Sequence, residues 1–177
     1  MIKEGYTRVS EIIGWYKSLK LGAIDPGVLK RKTQVGTDVH EAISGFYTDS
    51  FVPLDQKALP YYESFKRWDS SQEMKIVKQE QRYYCDDLKI TGAVDMIANF
   101  SGHTSLVDFK TSAVADEVAW ILQGSFYVML CDEFIDTVKF VKLDKSGGAP
   151  KVFEFTPCEQ KETMALKCLE VFRYWNH

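Results

Sequence analysis

At 177 residues the chain is long enough to bury a substantial core and short enough to be read as one domain spanning 1–177. Its 45% hydrophobic and 14% aromatic content excludes a disordered chain, and its formal net charge of −3 excludes a broadly basic nucleic-acid coat. Any nucleic-acid groove must therefore be local or lean on bound cations.

The opening MIKEGYTRVSEII lacks the apolar region of a signal peptide, and no apolar run approaches bilayer-spanning length. Four scattered cysteines (Cys85, Cys131, Cys158 and Cys168) form no CxxC pair. They read as reduced thiols of an intracellular, cytoplasmic protein without a zinc or iron–sulfur site.

In chain order, the N-terminal third reads as helical. Val9, Ile12, Ile13, Tyr16 and Leu19 carry the spacing of one helix face. Asp25-Pro26-Gly27 marks a break, and Pro26 suits the first position of the next helix. Val28 to Gln34 carries the basic run Lys30-Arg31-Lys32. A second helical stretch from Gly36 to Tyr47 puts Val39, Ala42, Ile43 and Phe46 on its apolar side, with His40 and Tyr47 on a neighbouring face. After a loop at Phe51–Leu54, Asp55 to Trp68 predicts a helix whose regular part begins at Pro60, with Leu59, Tyr62, Phe65 and Trp68 inward.

The middle reads as a sheet. Met74 to Cys85 is a strand, Asp86-Asp87 turns into Leu88 to Phe100, and Ser101-Gly102 turns into a strand ending at Lys110. Glu117 to Cys131 is apolar nearly all round, the pattern of a helix buried against a sheet. Ile135 to Leu143 and Lys151 to Phe155 are two more strands, and Pro157 opens a last helix with Met164, Leu166, Cys168, Leu169, Phe172 and Trp175 available for packing. The order predicts an α/β fold in which a mixed central sheet is flanked by helices.

The stretch Thr91 to Lys110 organises the rest. Asp95 interrupts one apolar strand, and Asp108 and Lys110 end the next. Alternation of side chains points Asp108 and Lys110 the same way, about 7 Å apart along the strand. Acids in hydrophobic strands are costly to bury without a partner, and a divalent cation shared by the two carboxylates would remove that cost. The chain holds five acid-x-Lys triplets, at Asp55, Glu73, Asp87, Asp108 and Glu159. Only the Asp108 triplet ends an apolar strand and follows another strand with an internal aspartate, so context selects it.

GAVDMIANFSGHTSLVDFKTS, followed by Gln123-Gly-Ser-Phe-Tyr127, resembles the core of the PD-(D/E)XK nucleases on their RecB-like exonuclease branch. Val35-Gly-Thr-Asp-Val-His40 resembles that branch's histidine-bearing helix, and Thr7-Arg-Val-Ser-Glu-Ile-Ile-Gly14 resembles its opening. The resemblance covers roughly residues 7–130 and implies a restriction-endonuclease-like core with a helical N-terminal third.

It further implies Asp95 and Asp108 as metal-binding acids, Lys110 as the catalytic lysine and His40 as the histidine completing the metal shell. Glu80 corresponds to an acid helping with metal or water, and the backbone carbonyl of Phe109 to a further ligand. Gln123 and Tyr127 correspond to the helix motif that contacts substrate, and Thr111 to the hydroxyl residue after the lysine. No cysteine precedes His40, so no iron–sulfur cluster is expected. No GxxxxGK[ST] loop is present, so no nucleotide cofactor is expected either.

Oxygen ligands with one imidazole suit Mg²⁺ or Mn²⁺. The expected activity is that of a metal-dependent deoxyribonuclease, an exonuclease acting on DNA ends in processing, recombination or repair. The small size fits a phage or mobile-element enzyme, or the nuclease piece of a larger assembly with a homo-oligomeric or recombination partner. Lys30, Arg31 and Lys32 read either as a solvated face or, so close before His40, as contacts along a DNA backbone, and His103, at a hairpin turn, reads as surface. Two rival readings remain: a catalytically inactive relative that binds nucleic acid or a protein, and an interaction domain whose acids are simply ion-paired.

Overall fold

The computed structural model describes residues 3–21 and 26–176. Six strands form one mixed sheet, with five helices on its two faces, among the described residues. They run β1 (Thr7–Arg8), α1 (Val9–Leu21), α2 (Pro26–Tyr47), α3 (Leu59–Asp69), β2 (Met74–Cys85), β3 (Ile90–Phe100), β4 (His103–Lys110), α4 (Glu117–Leu130), β5 (Thr137–Lys142), β6 (Lys151–Phe155) and α5 (Glu159–Asn176). No helix is long and apolar enough to cross a membrane among these residues.

Two differences from the sequence reading are local. The two helical stretches expected after the Pro26 break are one 22-residue helix, α2. Gly36 costs it about 1 kcal/mol of propensity, which the burial of Val39, Ala42 and Ile43 outweighs. The two-residue strand β1 is too short for any periodic signal. Asp25, part of the expected break, lies outside the described residues.

β2, β3 and β4 form an antiparallel meander, β4 pairs with β5 in parallel, and β6 closes the far edge antiparallel to β5. The β3–β4 turn has positive φ at Ser101 (50°) and Gly102 (94°), the backbone twist that a two-residue hairpin requires. His103 is exposed beside it.

On one face α1, α4 and α5 cover a core that includes Ile12, Ile97, Leu106, Trp120 and Phe126. α4 is buried on nearly all sides because it lies between the sheet and these helices, matching its apolar sequence. Asp116 caps its N-terminus by accepting the Ala119 N–H. On the other face α2 and α3 cover Met96, Val107 and Phe109. Phe109 meets Phe65 and Trp68 edge-on at 5.4 and 5.3 Å between ring centroids, pinning β4 to α3.

Leu19, Phe46, Leu59 and Trp175, expected inward, are exposed. Each lies within two residues of a helix end, and Phe46 keeps an edge-on contact with Phe65. Met164, also expected to pack, is exposed on α5.

Candidate active site

The site grows from a fork in the sheet. The β3–β4 ladder begins at Phe100↔His103 and stops at Met96↔Val107, one step short of Asp95 and Asp108. Beyond that point β4 stays with β5 as far as Lys110↔Lys142, while β3 stays with β2 as far as Cys85↔Ile90. β1 pairs with β3 at Ile90 and Thr91, on the edge β4 has left. The Phe109 N–H at the mouth of the fork donates to Asp95 Oδ2 at 2.9 Å.

β3 also changes its facing here. Val94 packs in the α1/α4/α5 core and Met96 in the α2/α3 core, although regular alternation would put both on one side. On β2, the pairs Gln79↔Met96 and Gln81↔Val94 bracket Glu80 opposite Asp95. Glu80 has φ 47°, a left-handed conformation uncommon for a non-glycine residue. The result is that His40, Glu80 and Asp95 each present a ligand atom within 4.8 Å of the other two. His40 comes from the face of α2 next to the buried Val39 and Ile43, and its Nδ1 lies 3.2 Å from Asp95 Oδ1.

The electrostatics of this trio are strongly perturbed. Burial disfavours the charged imidazole, but the Asp95 carboxylate overrides it and raises His40 to about 9. Burial likewise pushes Asp95 upward, yet His40, Lys110 and the Phe109 N–H hold it below the ordinary aspartate range. Desolvation, then the charge of Asp95, raise Glu80 to about 7.

Asp108 belongs to an adjoining set reached from the α4 side. Its Oδ1 accepts from Gln123 Nε2 at 3.0 Å, and its Oδ2 stands 2.6 Å from Lys110 Nζ. Lys110 Nζ also donates to Gln123 Oε1 at 2.9 Å, and Gln123 Nε2 lies 3.0 Å from the Tyr127 hydroxyl. Gln123 and Tyr127 are one helical turn apart on α4, as their spacing predicts. Burial and the nearby Asp95 raise Asp108 to about 6 against the pull of Lys110, and burial raises the Tyr127 phenol as well. The sequence reading expects Asp95 and Asp108 to share one ion. In this structure Glu80 stands with Asp95, and Asp108 is engaged by Lys110 and Gln123.

These donors fit a divalent cation. Two carboxylates and an imidazole converge within a few ångströms, and the fully buried Asp108 Oδ2 contacts Lys110 without accepting a well-directed hydrogen bond. The Thr111 hydroxyl lies beside α2, 3.4 Å from where a Cβ on Gly36 would stand. Lys30, Arg31 and Lys32 are exposed along α2 and stand outside the trio.

One nearby cation was not anticipated from the sequence. Lys17 on α1 is half-buried, and burial, reinforced by the charge of Lys110, depresses its pKa. Its position one turn after Ile13, at the margin of the α1 stripe, is the only local hint of that placement.

No family model matches the chain, and no curated protein matches it significantly. Solved structures do share its fold. A protein from Eubacterium rectale that carries an exonuclease assignment superposes with a TM-score of 0.55 at 15% identity, over 94% of this chain and 78% of that one. An alkaline exonuclease from Laribacter hongkongensis gives 0.54 at 8% identity, over 96% and 87%. The same enzyme in complex with dAMP gives 0.54 at 10% identity, over 96% and 87%. At such identities the likeness concerns the fold: this mixed sheet between helices is one that exonucleases also use.

Proposed function

We propose that this chain is a divalent-metal-dependent DNA nuclease of the PD-(D/E)XK type, hydrolysing phosphodiester bonds at DNA ends. The observation that carries the reading is the fork: His40, Glu80 and Asp95 converge on one side of it, and Asp108, Lys110 and Gln123 adjoin on the other. The exonucleases that share the fold, one of them solved with a mononucleotide, support the same substrate class.

In this reading His40, Asp95 and Asp108, with the Phe109 carbonyl, hold Mg²⁺ or Mn²⁺. When bound, the ion supplies Lewis-acid polarisation of the phosphate and lowers the pKa of water. Glu80, within ligand distance of Asp95 and His40, is placed to take a proton from the attacking water. Lys110 directs its ammonium at the charge that builds on the phosphate oxygens. Gln123 fixes both Lys110 and Asp108, and Tyr127 fixes Gln123. Thr111 and the exposed Lys30, Arg31 and Lys32 are assigned to the DNA backbone.

Digestion of end-labelled linear and closed circular DNA with Mg²⁺ or Mn²⁺ tests the proposal. Linear DNA should be degraded and circular DNA spared. Folded, metal-loaded protein that cleaves neither substrate would instead mark a nuclease-fold binding protein.

A further inference from the structure

A cleft of about 770 Å³ runs along α2, and the trio forms part of its wall through His40 and Glu80. Its remaining helix lining repeats at three- and four-residue intervals from Thr33 through Gly36, Thr37, Glu41, Ser44 and Gly45 to Thr48. From His40 to Thr48, the first residue past α2, is eight residues, about 12 Å at the usual helical rise. Beyond Thr48 the chain folds back on the helix. A Cβ at Gly45 would come within 2.7 Å of both the Ser50 carbonyl oxygen and Val52 Cγ2, so the 48–52 segment walls the cleft at that end.

The lining chemistry is one-sided. Thr37 donates its hydroxyl to the Thr33 carbonyl and Thr48 to the Ser44 carbonyl, so each proton is spent on the backbone and each oxygen keeps acceptor capacity. Glu41 and Glu80 add carboxylates, and no lysine or arginine lines the cleft among the described residues. Such a wall does not attract a phosphate backbone. It suits the amino and imino donors of nucleic-acid bases, and those donors are free only when the bases are unpaired. Gly36, which carries no side chain, opens the helix backbone to the cleft. The volume is that of a small-ligand site, with room for a nucleotide or two and none for a duplex. The cations that would meet phosphates, Lys30, Arg31 and Lys32, stand exposed just before the Thr33 end.

We propose that this cleft holds one unpaired nucleic-acid strand, bases against α2, phosphates outward, and its terminus against the 48–52 segment. The inference rests on the nuclease reading for what happens at His40, Glu80 and Asp95. The binding step does not require cleavage.

Fluorescence anisotropy of the metal-free protein with a labelled 12-nucleotide strand, alone or annealed, tests it. The single strand should bind at least 10-fold more tightly than the duplex, with a shallow salt dependence. Ser44→Trp, which fills the cleft one turn past His40, should weaken strand binding at least 10-fold. The isosteric Thr37→Val, which removes one acceptor while leaving the helix intact, should weaken it several-fold. Equal affinity for strand and duplex, or wild-type binding by folded Thr37→Val, would overturn the proposal. Hydrolysis of end-labelled DNA with Mg²⁺ is scored separately: its loss in the unmutated protein would sink the nuclease reading and leave the binding result to stand or fall alone.

Discussion

His40 Nδ1 stands 3.2 Å from Asp95 Oδ1, joining the long helix α2 to the strand where the sheet forks. The pair is a point of stability as well as a candidate ligand set, because each partner holds the other in its charged form.

The metal-free protein should show that coupling in its pH profile. His40 is raised from 6.5 to about 9, so its contribution is full below 6.5 and is lost as pH climbs through 9. Asp95 is depressed, so its contribution is present above 3.8 and fades as pH falls further. Thermal melting in chelator should fall between pH 7 and 10, and His40→Gln should flatten that alkaline limb. An unchanged limb in the variant would mean that another group governs it.

Divalent ions should stabilise the fold, since on the proposed reading they bind His40, Asp95 and Asp108 as the folded chain assembles them and not the unfolded chain. At a hundred times its Kd an ion adds about 2.7 kcal/mol, which for a chain of this size raises Tm by roughly 5–10 °C. Mn²⁺ and Mg²⁺ titrations followed by calorimetry should show this, chelator should reverse it, and Asp95→Asn should remove most of it. A full shift in Asp95→Asn would move the ion elsewhere.

Cleavage rates should rank the α4-side residues by their distance from the reacting atoms. Lys110→Met should lose about 100-fold or more, the scale of removing a group aimed at developing charge. Gln123→Leu, which releases both Lys110 and Asp108, should fall between the extremes. Tyr127→Phe gives up one neutral hydrogen bond, about 1 kcal/mol, and should lose less than about 10-fold. A Tyr127→Phe loss equal to that of Lys110→Met would place the phenol in contact with substrate.

Gly92 is a steric control on the same machinery. A Cβ there would stand 2.6 Å from Tyr127 Cε1 and 3.1 Å from Leu130 Cδ1. Gly92→Ala should therefore destabilise by about 1–3 kcal/mol through overpacking. It should also slow cleavage by displacing Tyr127 from Gln123. Denaturant unfolding and a steady-state assay read the two effects, and unchanged stability would show that α4 yields freely.

Local pattern was enough for the order of helices and strands apart from β1 and the unbroken α2, for the Ser101-Gly102 hairpin, for the burial of α4, and for the shared faces of Asp108 with Lys110 and of Gln123 with Tyr127. These follow from periods of two and 3.6 residues and from turn chemistry, which act between near neighbours. Long-range geometry was needed to bring Glu80, which the resemblance names, within 4.8 Å of His40 and Asp95, to set Asp108 between Lys110 and Gln123, and to wall the cleft that leads away from the trio. Each depends on non-local geometry: the parting of β3 from β4, the left-handed turn of Glu80 opposite Asp95, and the fold-back of 48–52 onto Gly45. An alternating pattern assigns faces only while a strand stays regular, and at this fork β3 does not.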